Sequence, residues 1–205
     1  MAMGDKTHKI LPDRALVALC VSGDSVAWRA LYDRHVGQVI RFVSALGVAM
    51  ADKDDAVQEV FVAVYKSLPS FRGDAQISTW IYRIAARHVA RLASRRRLRD
   101  MLSNVLWREM KYEPEARQGY QTALENVERS SELEMLDRML EKLSPKKRTA
   151  LVLFEIEGLP VEQVAEIVGC PVNTVWSRLH HARAELTKLA AKTPRDSGRG
   201  AGAGV

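Results

Sequence analysis

The stretch DAVQEVFVAVYKSL, residues 55–68, places Val57, Val60, Phe61, Val64 and Leu68 at steps of three and four. That spacing gathers into one stripe on an α-helix and onto no single face of a strand. The same recurrence runs through most of the 205 residues, and strand-like alternation is absent. The expected fold class is therefore all-α. A chain of this length can form one domain or two small ones, each large enough for its own core.

Punctuation divides the pattern. A short helix over about 13–21 ends at Ser22 and Gly23, and Asp24 caps the next helix. That second helix runs to about Leu46, with Gly47 as its stop. Asp52 then caps a third through Leu68, and Pro69 blocks its continuation. The turn-rich SFRGDAQ leads into a fourth helix that reaches about residue 100. Residues 13–100 make a first helical domain after a loose N-terminus, 1–12. Over 101–130 the apolar pattern weakens, the charge turns acidic, and Pro114 and Gly119 interrupt, which reads as a flexible linker with room for one helical piece. A second domain fills 131–191, with Ser144 at a helix cap, Pro145 in the first turn and Gly158 as a stop. The glycine-rich tail, 192–205, reads as disordered.

Charge is distributed unevenly. The net charge is +6, yet residues 83–99 hold seven arginines and no carboxylate, whereas 109–137 hold eight carboxylates and three basic residues. Arg83, Arg87, Arg91 and Arg95 recur every four residues and form one slowly winding ridge on a helix. Like charges at that spacing repel, so an anionic partner, nucleic acid or an anionic membrane surface, is expected to face them. Ile77, Trp80, Ile81, Ile84, Ala85 and Leu92 mark another face, suited to a core. Two isolated cysteines, Cys20 and Cys170, fit neither a disulfide framework nor a zinc site and suggest a reducing compartment. With no signal peptide and no apolar run near the ~20 residues a span requires, a soluble cytoplasmic protein is expected.

The stretch LPVEQVAEIVGCPVNTVWSRLHHARAEL, residues 159–186, holds two helical patterns joined at Gly169. Ala165, Gly169 and Val175 stand at the offsets of a helix-turn-helix: a small residue at the crossing, glycine at a left-handed turn, an apolar residue packing back. Thr174, Trp176, Ser177, Arg178, His181 and Arg183 remain for the second helix to present to a major groove. His180 and His181 point about 100° apart on a helix and make a poor metal pair. The common phosphate-loop, zinc-protease and nucleophile-elbow motifs are missing, so no cofactor, metal or enzymatic activity is expected.

Several stretches together resemble one family, the bacterial extracytoplasmic-function sigma factors, promoter-specificity subunits of RNA polymerase in the sigma-70 group. DKDDAVQEVFVAVYKSLPSF, 52–71, is similar to the family's polymerase-binding helix. FRGDAQISTWIYRIAARHVARLASRRR is similar to its loop and helix for the promoter's minus-ten element. LSPKKRTALVLFEIEGLPVEQVAEIVGCPVNTVWSRLHHARAEL resembles the domain that reads the minus-thirty-five element. The likeness covers about 24–100 and 135–190.

The resemblance implies that Asp54, Asp55, Gln58, Glu59 and Phe61 bind core polymerase. It implies that FRGDAQ holds a flipped base, placing Phe71, Arg72, Trp80 and Tyr82 near unpaired bases and Arg83, Arg87 and Arg91 on phosphates. Stacking one base is worth roughly 1–3 kcal/mol, enough to offset unstacking without nucleotide hydrolysis. Trp80 also has the spacing of a core residue, and arginines 95–97 and 99 also read as a flexible basic end. In the recognition helix, Asn173 and Trp176 stand where family members often have glycine and lysine. Trp176 would pack on the sugar-phosphate backbone, meet a thymine methyl, or shield the core. Implied partners are core polymerase, promoter DNA as duplex and melted strand, and a separate anti-sigma factor. A flexible chain of thirty residues spans typically ~30 Å and at most ~100 Å, which bridges two sites roughly 35–70 Å apart if stretched. The alternative reading is a stand-alone helix-turn-helix regulator, which has no need of the 52–100 block.

Overall fold

The computed structural model describes residues 10–109 and 131–192, together with His8. The expected linker beyond residue 109, the tail from 193, and most of the N-terminal segment lie outside the described residues. Every regular element described is helical. In the first domain α1 spans Asp13–Val21, α2 Ser25–Ala45, α3 Met50–Ser67 and α4 Ile77–Glu109, with a single 3-10 turn, Leu68–Ser70, after α3. In the second, α5 spans Ser131–Glu141, α6 Pro145–Leu151, α7 Val161–Val168 and α8 Val172–Lys192.

Local chemistry explains most of these limits. The Asp24 carboxylate accepts from the backbone N–H groups of Val26 at 2.8 Å and Ala27 at 3.0 Å, which starts α2 as expected. Those bonds, the Ala27 one foremost, hold the Asp24 carboxyl below its ordinary pKa. Gly47 follows α2 with φ +83°, a left-handed conformation that glycine adopts without strain. Two expectations need correction. Helix α3 begins at Met50 with Ala49 at the cap position, so Asp52 lies in the first turn, where its charge complements the helix dipole. Helix α4 continues to Glu109, nine residues past the expected boundary at 100. The run RLASRRRLRDML lacks glycine and proline, and the weakening apolar pattern removes packing without removing helix propensity.

One turn departs from both α and 3-10 geometry. Val152–Ile156 forms a π-helical turn that continues α6, closed by the Glu157 N–H donating to Val152 O at 2.9 Å. Gly158, φ +66°, then ends the segment.

The core of the first domain is built from Leu16, Leu31, Val39, Phe42, Val43, Val60, Val64 and Ile81, all nearly inaccessible. Phe42 meets the Tyr82 ring edge-on at 5.0 Å. The second domain centres on Leu140, Val152, Leu153, Val164, Val175 and Leu179. Contacts also join the two: α7 lies against the start of α4.

His35 is 4 % exposed, 3.7 Å from an Asp13 oxygen and 3.3 Å from Gln38 Oε1. Burial lowers its pKa despite the opposing pull of Asp13. The charged form is thus less favourable folded than unfolded, and the stability this residue contributes is full above its unfolded pKa and lost as pH falls through the folded one. Thermal melts between pH 7.5 and 5 should show acid destabilisation that is shallower in His35→Gln than in the wild type. Parallel pH profiles would remove His35 as a source.

Candidate polymerase and nucleic-acid interfaces

Helix α3 divides the residues expected on one polymerase-binding patch. Asp54, Gln58 and Phe61 line a groove of about 800 Å³ between α2 and α3, together with Trp28, Tyr32, Val57 and Tyr65. Asp55 and Glu59 turn the other way, lining a cleft of about 460 Å³ whose far wall carries Arg95, Arg96 and Arg99 of α4. A step of one residue rotates a side chain by about 100°, so adjacent acids on one helix serve different clefts. Glu59 reaches to 2.9 Å from Nε2 of the buried His88, though without hydrogen-bond geometry. Burial holds the His88 pKa down, and the nearby Glu59 carboxylate opposes it.

Phe61 is 4 % exposed and packs on Tyr32 at 4.6 Å, so it forms the floor of the groove rather than a projecting contact. The projecting groups are ones the sequence reading passed over. Trp28 and Tyr65 meet edge-on at 5.0 Å, and Tyr65 and Val62 are exposed. The Trp28–Tyr32–Val36–Ile40 sequence, four residues apart throughout, could have announced a second apolar face on α2.

The minus-ten candidates also separate. Phe71 and Trp80 are half-buried and pack against each other with ring centroids 5.4 Å apart, while Arg72 is exposed at the loop tip. Gly73 in the same loop has φ +78°, which permits the tight bend in FRGD. Arg87 and Arg91 stand exposed on α4, as the ridge requires. Tyr82 departs from the expected outward position: it is 3 % exposed, and its hydroxyl donates to Glu157 Oε2. Burial first, and Glu157 second, push the phenol's pKa up. Arg83 is half-buried and pairs with Glu166 of α7. The exposed part of the ridge therefore begins at Arg87.

In the second domain Gly169 adopts φ +66° and its N–H donates to Ala165 O at 2.9 Å. Ala165 and Val175 are buried between α7 and α8, as the helix-turn-helix offsets demand. Asn173, Trp176, Ser177 and His181 are exposed on α8, and Thr174 and Arg178 are half-exposed. Trp176 is 45 % exposed with its ring edge-on to Phe154 at 5.5 Å, so it both covers core and presents a free surface. Arg183 is exposed but paired: Nε donates to Glu155 Oε1 at 2.9 Å, and the guanidinium lies 5.7 Å from the Phe154 ring centre. Glu155 and Phe154 belong to the π turn, whose shifted register sequence periodicity does not reveal.

Comparison with known proteins agrees with this architecture. The family description "Sigma-70 region 2" matches residues 31–100, and "Sigma-70, region 4" matches 133–186. The ECF RNA polymerase sigma-E factor of Haemophilus influenzae is 35% identical over 175 residues, covering 84% of this chain and 92% of that protein. The chain belongs to the extracytoplasmic-function sigma factors of the sigma-70 family. The sigma-E factor of Escherichia coli strain K12 is 36% identical over the same length, covering 84% of this chain and 91% of its own. Among solved structures, CnrH in complex with the cytosolic domain of CnrY superposes with a TM-score of 0.63 at 27% identity, covering 88% of this chain and 99% of that one. The sigma factor RpoE of Bartonella quintana, solved with the anti-sigma factor NepR, shares the fold, with a TM-score of 0.62 at 22% identity over 81% of this chain and 98% of that one. As an extracytoplasmic-function sigma factor, the chain is a promoter-specificity subunit of bacterial RNA polymerase. The region 2 match disfavours a stand-alone helix-turn-helix regulator. Among the described residues, no helix of this sigma factor is long and apolar enough to cross a membrane.

Proposed function

We propose that this sigma factor binds core polymerase through the α2–α3 groove, holds the melted minus-ten strand with the FRGDAQ loop and the ridge from Arg87, and reads the minus-thirty-five element with α8. The observation that carries this reading is the exposure of three separate surfaces of distinct chemistry: an aromatic groove edged by Asp54 and Gln58, a carboxylate-free arginine face, and a helix-turn-helix recognition face.

Each surface suits its assigned task. Aromatic side chains supply large rigid area to an interface at low entropic cost. The arginine face gains affinity by releasing counterions from phosphates. Phe71 and Trp80, half-buried against each other, form a firm edge on which an unpaired base can stack, and melting needs no hydrolysis on this account. The protein acts without catalysis of its own and works in the cytoplasm, where its polymerase is. The Bartonella RpoE structure holds the anti-sigma factor NepR, and the CnrH structure holds the cytosolic domain of CnrY, which supports an anti-sigma factor as a partner here too.

The test combines transcription and binding. Purified protein added to core polymerase should direct initiation at a distinct set of start sites; unchanged start sites would reject the proposal. Tyr65→Ala, which removes an exposed ring and little packing, should weaken core binding about tenfold while the melting temperature holds. Undiminished binding would take the groove out of the interface.

A further inference from the structure

Near its start, helix α8 carries a large ring in an unusual setting. Trp176 leaves almost half of its surface open to water, where an indole forgoes much of the burial that stabilises it. The ring is nonetheless held. It meets Phe154 edge-on at 5.5 Å, and the Arg183 guanidinium lies 5.7 Å from the centre of the same Phe154 ring. Arg183 is fixed in turn by donating from Nε to Glu155 Oε1 at 2.9 Å. Phe154 and Glu155 both come from the π turn, which its buried Val152 and Leu153 anchor in the core. Turns of this kind are frequent at functional sites. Trp176 and Arg183 are seven residues apart, so they lie about 20° from one another on the helix and share one flank.

Position and charge together decide what that flank can meet. In a helix-turn-helix the start of the second helix reaches base edges. Trp176 stands in the second turn of α8, beside the exposed Asn173 and Ser177. Glu155 already pairs with Arg183, so the flank offers a phosphate a neutralised ion pair and not a free guanidinium. An uncharged indole beside that pair suits an apolar group. The major groove displays one such group, the C5 methyl of thymine. Phe154 sets the indole in place before DNA arrives, which lowers the cost of ordering it on binding.

We propose that Trp176 is a specificity-determining residue that reads one thymine methyl in the minus-thirty-five element, with Phe154 as the residue that positions it. This inference rests on α8 being the reader of that element. A methyl contact distinguishes T·A from A·T at a single position and adds nothing to the attraction for phosphates.

The test uses holoenzyme, assembled from core polymerase and the full chain, on a promoter fragment taken from the start sites it selects. Thymines of the upstream element, on either strand, are replaced one at a time by deoxyuridine, which lacks only the methyl. At one position the replacement should weaken wild-type binding about fourfold, the effect of burying one methyl group. Trp176→Ala should bind the thymine promoter at that weaker level and be indifferent to deoxyuridine at that position. A second pair of variants separates positioning from folding. Phe154→Leu keeps the apolar volume and should lose most of the methyl discrimination, whereas Phe154→Tyr keeps the ring and should retain it. Wild-type binding that no deoxyuridine weakens, with Trp176→Ala still impaired, would put the ring on the sugar-phosphate backbone and overturn the methyl contact. A Trp176→Ala protein with the full deoxyuridine response would leave the ring as a cover over Phe154 and overturn it equally. A footprint with no upstream protection would instead reject α8 as the reader, and this inference with it.

Discussion

Replacing Phe42 with alanine should cost about 3–5 kcal/mol of stability, the range for deleting a fully buried phenylalanine. Phe42 is 0 % exposed, and its ring lies 5.0 Å from that of Tyr82. Truncation removes the ring's apolar burial and leaves a void that the surrounding helices, crossing through Leu31, Val43 and Ile81, can fill only partly. Tyr82 loses its support and with it the aim of its hydroxyl at Glu157. Urea unfolding followed by helical circular dichroism measures the loss directly. A control, Ile40→Ala, removes a side chain that is 39 % exposed and should cost far less. Equal costs for the two would mean that α2 does not pack as described.

The second large effect concerns charge. Arg87 and Arg91 are exposed on one face of α4 with no carboxylate in 83–99. Neutralising each phosphate contributes about 0.9 to the slope of log affinity against log salt for duplex DNA. Replacing both arginines with alanine should reduce that slope by about 1.8 and weaken promoter binding by the assembled polymerase roughly 60-fold at 0.1 M salt. A salt titration of holoenzyme binding reads both numbers at once. An unchanged slope would mean that neither residue meets a phosphate. Arg83 is left out of this pair because Glu166 already occupies it, and its replacement would disturb the contact with α7 as well as the ridge.

How far the sequence carried the reading depends on whether a feature is local. Helix limits set by a single residue were legible: Asp24 caps through its own carboxylate, Gly47 and Gly169 turn through their own φ, and the helix-turn-helix offsets follow from 3.6 residues per turn. Sigma-70 membership was legible for a related reason, since order and spacing along the chain survive in the sequence. Contacts between distant segments were not. The pairing of Tyr82 with Glu157 spans seventy-five positions, and nothing in the local pattern of either stretch distinguishes a tyrosine facing DNA from one facing a carboxylate. The division of the acidic patch was missed because all of its members were assigned to one surface, although Asp54 and Asp55 are adjacent and must diverge. The end of α4 was missed because fading amphipathicity signals loss of packing and says little about backbone geometry.

The π turn at Val152–Ile156 amounts to one surplus residue wound into a helix. It offers a simple way to retune a promoter reader. Deleting a single position there would tighten the backbone to ordinary α geometry and swing Phe154 and Glu155 round the axis by about a third of a revolution. Trp176 would lose its aromatic neighbour and Arg183 its carboxylate, while every side chain on the recognition helix kept its identity. On the proposed reading of α8, preference among DNA sequences would thus shift through an indel on a neighbouring helix.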